Sequence, residues 1–273
     1  MPLPVADLTR NRPAMPSELL TERRGTTLVL TISDPATRNT LSAQVIAAAI
    51  EALGVAEADP EVRCVVLQGA GANFCAGGNV LGLAERRAAG EAAQRRMLDH
   101  LHHWVETMAS YPKPIVAAVE GAAAGAGFSL ALACDLIVAA DDARFVMSYA
   151  KLGVSPDGGA TARLTEALPP ALVKRMLWLA EPASTATLHH HGLVTMVSLP
   201  GSALADALIL AERLAALAPG AIASVKDLVA QAARRTLAEQ LAAERDCFLV
   251  NLFGADGGEG LRAFVEKRAP RFS

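Results

Sequence analysis

Two stretches of this sequence place glycine and alanine where a chain can present bare backbone: Gly69-Ala70-Gly71-Ala72-Asn73-Phe74-Cys75-Ala76-Gly77-Gly78 and Gly121-Ala122-Ala123-Ala124-Gly125-Ala126-Gly127. Glycine serves where the backbone takes positive φ, or where a ligand must approach the main chain without meeting a Cβ. Two such turns, each leaving a strand, can aim free N–H groups at one point and stabilise a developing oxyanion without side chains. The second turn opens a helix, whose N-terminal dipole adds to the effect. Neither stretch matches G-x-G-x-x-G or the Walker pattern, so a nucleotide phosphate is not the expected ligand. Taken singly, either stretch reads more readily as a plain tight turn; only the pair points to chemistry.

Other residues could move protons or bind metal. Asp157 stands in Gly153-Val154-Ser155-Pro156-Asp157-Gly158-Gly159, where residue type alone suggests a turn former or helix N-cap. His102, in Leu101-His102-His103-Trp104, falls on a polar helix, the ordinary place for a surface or core histidine. Adjacent His189, His190 and His191 diverge on a helix rather than converge, so no metal is expected. Cys64, Cys75, Cys134 and Cys247 lack paired C-x-x-C spacing and read as reduced core thiols. They imply a reducing compartment, and a cytoplasmic location is expected.

The elements that must position these groups follow from periodicity. Leu28 to Ile32 alternates as a strand, and Asp34, Pro35 and Asn39 mark a loop. Ser42 caps a helix whose apolar positions Val45, Ile46, Ala49, Ile50 and Leu53 recur at helical spacing. Val62 to Leu67 forms a strand that feeds the first glycine stretch. Glu85 to Ser110 is helical, weakened at Gly90, and Pro112 and Pro114 end it before a strand at Ile115 to Val119. An apolar helix from Phe128 to Cys134 and a strand from Asp135 to Ala139 follow the second stretch. Strand, glycine turn and helix recur, so the fold class is α/β with parallel pairing. Residues 1–18 read as an N-terminal extension, 19–201 as the core, and 202–273 as a helical region. In that last region Pro219 starts a helix, and capping boxes fall at Thr236/Glu239 and Asp256/Glu259. Its alanine-rich helices need surface to pack on, and a neighbouring subunit supplies it.

Composition narrows the function. With 273 residues, 52% of them hydrophobic, the chain can bury a large core. Its 25 basic and 28 acidic residues are interspersed and net to -3, so no nucleic-acid partner is expected. The most apolar stretch, Ile115 to Cys134, is interrupted by Glu120, Gly121, Gly125 and Gly127, and no membrane partner is expected either.

Phe74-Cys75-Ala76-Gly77-Gly78-Asn79 resembles the F-C-A-G-x-D/N loop of the enoyl-CoA hydratase/isomerase (crotonase) family. Pro112 to Gly127 resembles its K-P-x-I-A-A-x-x-G-x-A-x-G-G-G segment, with Ala126 in place of the middle glycine. Cys134-Asp135, Ala140 to Phe145, Arg38-Asn39 and Phe264 to Arg268 continue the likeness in order, from about Leu20 to Phe272. The resemblance implies a crotonase-like spiral of ββα units with a C-terminal helical oligomerisation region, giving a homotrimer or a hexamer of two trimers. It implies an acyl-CoA substrate whose thioester carbonyl accepts from the N–H groups of Gly78 and Ala126. No separate cofactor is implied, because coenzyme A is part of the substrate. By motif position Arg38 falls near the CoA phosphates, Phe264 and Lys267 near the adenine, and Ala76 along the CoA path.

The same likeness bears on the reaction. Hydratases of the family split water with two glutamates, whose positions here hold Ser129 and Tyr149. Syn addition of water lacking either group is expected to be slow. Some isomerases of the family carry an aspartate at the position of Asp157, and one carboxylate suffices to move a proton between carbons. An isomerase using Asp157 is therefore the expected activity. A hydratase or lyase with unusual acid/base groups and a non-catalytic CoA-binding scaffold remain the alternatives. His102 falls where a histidine assists the dehalogenase branch, Tyr149 is expected to pack in the acyl pocket or else to hydrogen-bond substrate through its hydroxyl, and Ser129 either holds water or bonds its own helix.

Overall fold

The computed structural model describes residues 17–273. Most of the expected N-terminal extension lies outside that range, and Glu18 already begins β1 (Glu18–Arg24), which pairs antiparallel with β2 (Thr27–Ser33). From β2 the large sheet continues in parallel through β3 (Cys64–Gly69), β4 (Ile115–Val119), β6 (Leu136–Ala140) and β9 (Met196–Ser198). A smaller sheet holds β5 (Ala122–Ala124), β7 (Arg144–Val146) and β8 (Ala183–Ser184), in the order β5-β7-β8. The chain alternates between them: β4 lies in the large sheet and β5 in the small one before α4 (Ala126–Ala133), and β6 and β7 repeat the step before α5 (Ala160–Ala167). This is the ββα repeat of a crotonase-type spiral.

Period-two alternation divides the large sheet into two faces. Leu30 and Ile32, Val65 and Leu67, Ile115, Ala117 and Val119, and Ile137 and Ala139 point into the main core, with α1 (Ala43–Ala58), α3 (Glu91–Ser110) and α4. Val29, Cys64, Val66, Val116, Ala118 and Val138 point the other way, against α8 (Ala203–Ala215). Ala203, Ala207, Leu210 and Ala211 recur at helical spacing on the covering side of α8, and their small side chains let the helix lie close to the strands. The first helix beyond Ser202 thus belongs to the sheet's own packing. The later helices α9 (Pro219–Ala232), α10 (Leu237–Phe253) and α11 (Ala255–Glu266) leave Phe248, Phe253, Phe264 and Val265 exposed.

Several local expectations change. The helix expected from Glu85 to Ser110 is two helices, α2 (Val80–Ala89) and α3, because Gly90 takes φ 102° between them. The second glycine stretch contains β5 rather than a continuous turn. Thr236 and Glu239 form the capping box, but Asp256 and Glu259 do not: α11 starts from Gly254, Asp256 accepts from Ser273, and Glu259 pairs with Arg268. Of the cysteines expected in the core, Cys247 is only partly buried. Among the described residues no group of histidine, cysteine and acidic side chains is arranged to hold a metal ion, and no single helix is long and apolar enough to cross a membrane.

Candidate active site

Both glycine stretches leave the carboxyl ends of adjacent parallel strands, β3 and β4, so they emerge side by side. A short parallel ladder then ties them together. Phe74 N–H donates to Glu120 O at 2.7 Å, Cys75 N–H to Ala122 O at 3.0 Å, and Ala124 N–H to Cys75 O at 2.9 Å. Cys75 pairs with Ala123 across this ladder, and Gly78 and Ala126 each lie three residues further on. Tight packing accounts for the glycines between them. Gly77 takes φ 87°, and a Cβ on it would meet Ala124 O at 2.5 Å. Among the described residues, the N–H groups of Gly78 and Ala126 have no hydrogen-bond partner. Ala126 is the first residue of α4, where the helix cannot satisfy its own N–H. The unusual Ala126 costs nothing here, since the backbone supplies the donor.

Asn39 anchors the first stretch from outside. It takes φ 60°, a left-handed conformation that asparagine tolerates. Its buried Nδ2 donates to Ala70 O at 2.9 Å and to Asn73 O at 2.7 Å, while its Oδ1 accepts from Asp34 N–H at 3.0 Å. Arg38 O accepts from Ala76 N–H at 2.9 Å, so the two loops are clamped through main chain as well.

Asp157 approaches from the far side, on the loop before α5. It does not cap that helix, whose N-cap is Gly159 with no side-chain bond. Its Oδ1 instead accepts from the Tyr149 hydroxyl at 2.6 Å. Tyr149 thus packs along the cavity, as one expectation had it, and also bonds Asp157, a partner that neither expectation named. Burial, and then the Asp157 charge, push the Tyr149 hydroxyl well above the ordinary tyrosine range, so it is a hydrogen-bond donor and not a phenolate. Ser129, fully buried on α4, donates to Gly125 O at 3.3 Å and to Asp157 O at 3.1 Å. The serine therefore bonds its own helix, as one of the two expectations had it, and also braces the aspartate's backbone.

A cavity of about 750 Å³ joins these parts. Ala76, Gly78, Ala126, Tyr149, Asp157 and the exposed His102 all line it. Asp157 is the only acidic residue among the described residues that do so. Four residues expected at the site do not line this cavity: Ser129 is buried behind its wall, while Arg38, Phe264 and Lys267 are exposed elsewhere on the chain. Sequence reasoning missed the anchoring role of Asn39, for which asparagine in a glycine-free turn was the available signal. It also missed Arg86 and Gln94, which line the cavity and bond each other at 2.7 Å. No sequence pattern marks that pair.

The sequence profile of the enoyl-CoA hydratase/isomerase family matches residues 22–273. A crystal structure of an enoyl-CoA hydratase from Polaromonas sp. JS666 superposes with a TM-score of 0.93 at 49% identity, covering 94% of this chain and 100% of that one. The 2,3-dehydroadipyl-CoA hydratase of Escherichia coli is 33% identical over 94% of this chain and 98% of its own length. The 1,2-epoxyphenylacetyl-CoA isomerase of the same organism is 35% identical over 90% of this chain and 94% of its own length.

Proposed function

The chain belongs to the enoyl-CoA hydratase/isomerase family, and on that premise we propose that it shifts a carbon–carbon double bond in an acyl-CoA thioester, with Asp157 as the proton carrier. The observation that carries this reading is that Asp157 is the one carboxylate in the cavity among the described residues. In a 3-enoyl thioester the Asp157 carboxylate takes a proton from the carbon next to the carbonyl. The electrons of that C–H bond move onto the thioester oxygen, giving a dienolate whose charge the Gly78 and Ala126 N–H groups receive. One such donor contributes about 3 to 4 kcal/mol to the barrier. Asp157 then returns the same proton to the distal carbon, and the double bond ends conjugated with the carbonyl. No proton is gained or lost overall. The hydroxyl of Tyr149 occupies Oδ1, and Oδ2, which has no partner among the described residues, is the oxygen that takes the proton.

Likeness to the Polaromonas enoyl-CoA hydratase favours a second reading, hydration, in which the Tyr149–Asp157 pair holds a water. One experiment separates them. Double-bond migration and hydration are followed side by side in the wild type and in Asp157→Asn, which keeps an oxygen for the Tyr149 hydroxyl. Loss of a general base lowers kcat by about 10² to 10⁴. Isomerisation that falls so far, with a melting temperature close to wild type, supports the proposal. Unchanged isomerisation in the variant, or a wild type that hydrates faster than it isomerises, sinks it.

A further inference from the structure

The oxyanion donors and Asp157 leave two charged side chains of the cavity unused, the exposed Lys151 and the partly buried Arg86. Its Nε donates to Gln94 Oε1 at 2.7 Å, a bond from α2 to α3 that fixes the plane of the fork. Its Nη1 lies back over Gly82, where a Cβ would stand 3.1 Å away. The residue is partly buried, and Gln94 is its side-chain partner among the described residues. Among the described residues this guanidinium makes no salt bridge, so its Nη groups remain available to an anion in the cavity. Gly82 lies about one helical turn, ~5 Å, beyond Asn79, which directly follows Gly78. The oxyanion donor and the guanidinium therefore stand at the start and on the first turns of one helix, facing one cavity.

Resting on the reading that an acyl thioester fills this cavity, we infer that Arg86 binds a carboxylate at the far end of the acyl chain. The preferred substrates are then CoA thioesters of short unsaturated dicarboxylic acids. With Nε held by Gln94, the two Nη groups remain to grip both carboxylate oxygens, the geometry in which arginine binds such groups best. Asp157 repels a second carboxylate from the reacting end and so favours one orientation. The other cation lining the cavity, Lys151, is exposed and bonded to Ala180 O at 3.4 Å. Arg86 also lines a second opening of about 560 Å³, where it and Arg96 face the single acid Glu85 among the described residues.

The test is binding, measured by calorimetry with hexanoyl-CoA and with its ω-carboxyl counterpart, so that it does not depend on turnover. Wild-type protein should prefer the ω-carboxyl thioester. Arg86→Gln should weaken that thioester by about 10- to 100-fold, the size of a charged hydrogen-bonded contact, and leave hexanoyl-CoA nearly unaffected. Arg86→Lys, which keeps the charge and loses the fork, should fall between, and Lys151→Gln should keep the preference. Equal weakening of both thioesters would assign Arg86 to the CoA moiety and overturn the inference. So would loss of the preference in Lys151→Gln, or its absence in the wild type. Failure of both thioesters to bind would instead remove the acyl-CoA reading of the cavity, and the inference with it. Normal binding with no isomerisation would leave the Arg86 assignment standing and strike only at the chemistry.

Discussion

Replacing Gly127 by alanine tests whether the two donor loops must meet at a fixed spacing. Gly127 does not line the cavity, yet a Cβ there would stand 2.3 Å from Cys75 O, 2.7 Å from Cys75 Cβ and 2.8 Å from Cys75 C, where ordinary contact begins at 3.4 Å. The obstruction cannot rotate aside, because it is backbone and its carbonyl already accepts from Ala124 N–H at 2.9 Å. The start of α4 must retreat by about 1 Å, and a misplacement of that size at a reacting centre costs about 10²-fold. Ala126 N–H retreats with it while Gly78 N–H stays with the other loop. The loss matches that of deleting one oxyanion donor, about 10² to 10³ in kcat. Overpacking itself costs about 1 to 3 kcal/mol, or roughly 2 to 12 °C of melting temperature for a chain of this size, so the variant still folds at room temperature. Gly54→Ala is the control: Gly54 is exposed on α1, away from the cavity, and a Cβ on it meets nothing within 4 Å. Steady-state turnover of an enoyl-CoA with melting curves on both variants gives the answer. A folded Gly127→Ala with wild-type kcat, or two variants equally impaired, would refute the paired-loop argument.

Two further outcomes follow from buried groups and exposed faces. Burial raises the thiols of Cys64 and Cys75 to about 12 and lifts Cys134, Tyr111 and Tyr149 well above their usual ranges. The folded chain thus keeps protons that the unfolded chain releases. Stability should fall as pH rises from about 8.5, where unfolded thiols ionise, and faster above about 10, where tyrosines join, by up to about 1.4 kcal/mol per pH unit for each group. Urea midpoints that stay flat from neutral pH into this range would contradict it. We also expect the face on α9 to α11 to be covered by copies of this chain. Phe253 and Phe264 are 82% and 85% exposed on the single chain, far more than isolated apolar side chains require. Light scattering should give three or six times the chain mass of 28.4 kDa, and Phe253→Asp should lower it; a monomeric wild type at micromolar concentration would end that expectation.

How much of this was legible beforehand depended on the range over which each signal acts. The β3 and β4 strands and α1 with its Ser42 cap could be read because local alternation, helical spacing and capping are properties of neighbouring residues. The donor loops could be read because positive φ favours glycine and close backbone approach leaves no room for a Cβ, both visible in residue type. The strand β1 escaped because its residues Glu18–Arg24 are almost all exposed and carry no alternating apolar face. The role of α8 escaped because an alanine stripe looks the same whether it faces a sheet of its own chain or a second subunit. Arg86 and Gln94 escaped because their bond joins two helices across the break at Gly90, and no period relates them.

The least legible feature is also the one that most shapes the proposed chemistry. Ser129 and Tyr149 stand where the resemblance puts the two acids of a hydratase, and on sequence they register only as absences. In the fold both turn toward Asp157: Ser129 Oγ donates to its carbonyl at 3.1 Å and Tyr149 Oη to its carboxylate at 2.6 Å. A glutamate at position 129 could not make the first bond, since an ionised carboxylate only accepts. At position 149 it would set a like charge against Asp157. In this chain the residues at those two positions and the aspartate are therefore physically coupled. Each supplies a donor, Ser129 fixing the backbone of Asp157 and Tyr149 fixing its carboxylate, the one acid that lines the cavity among the described residues.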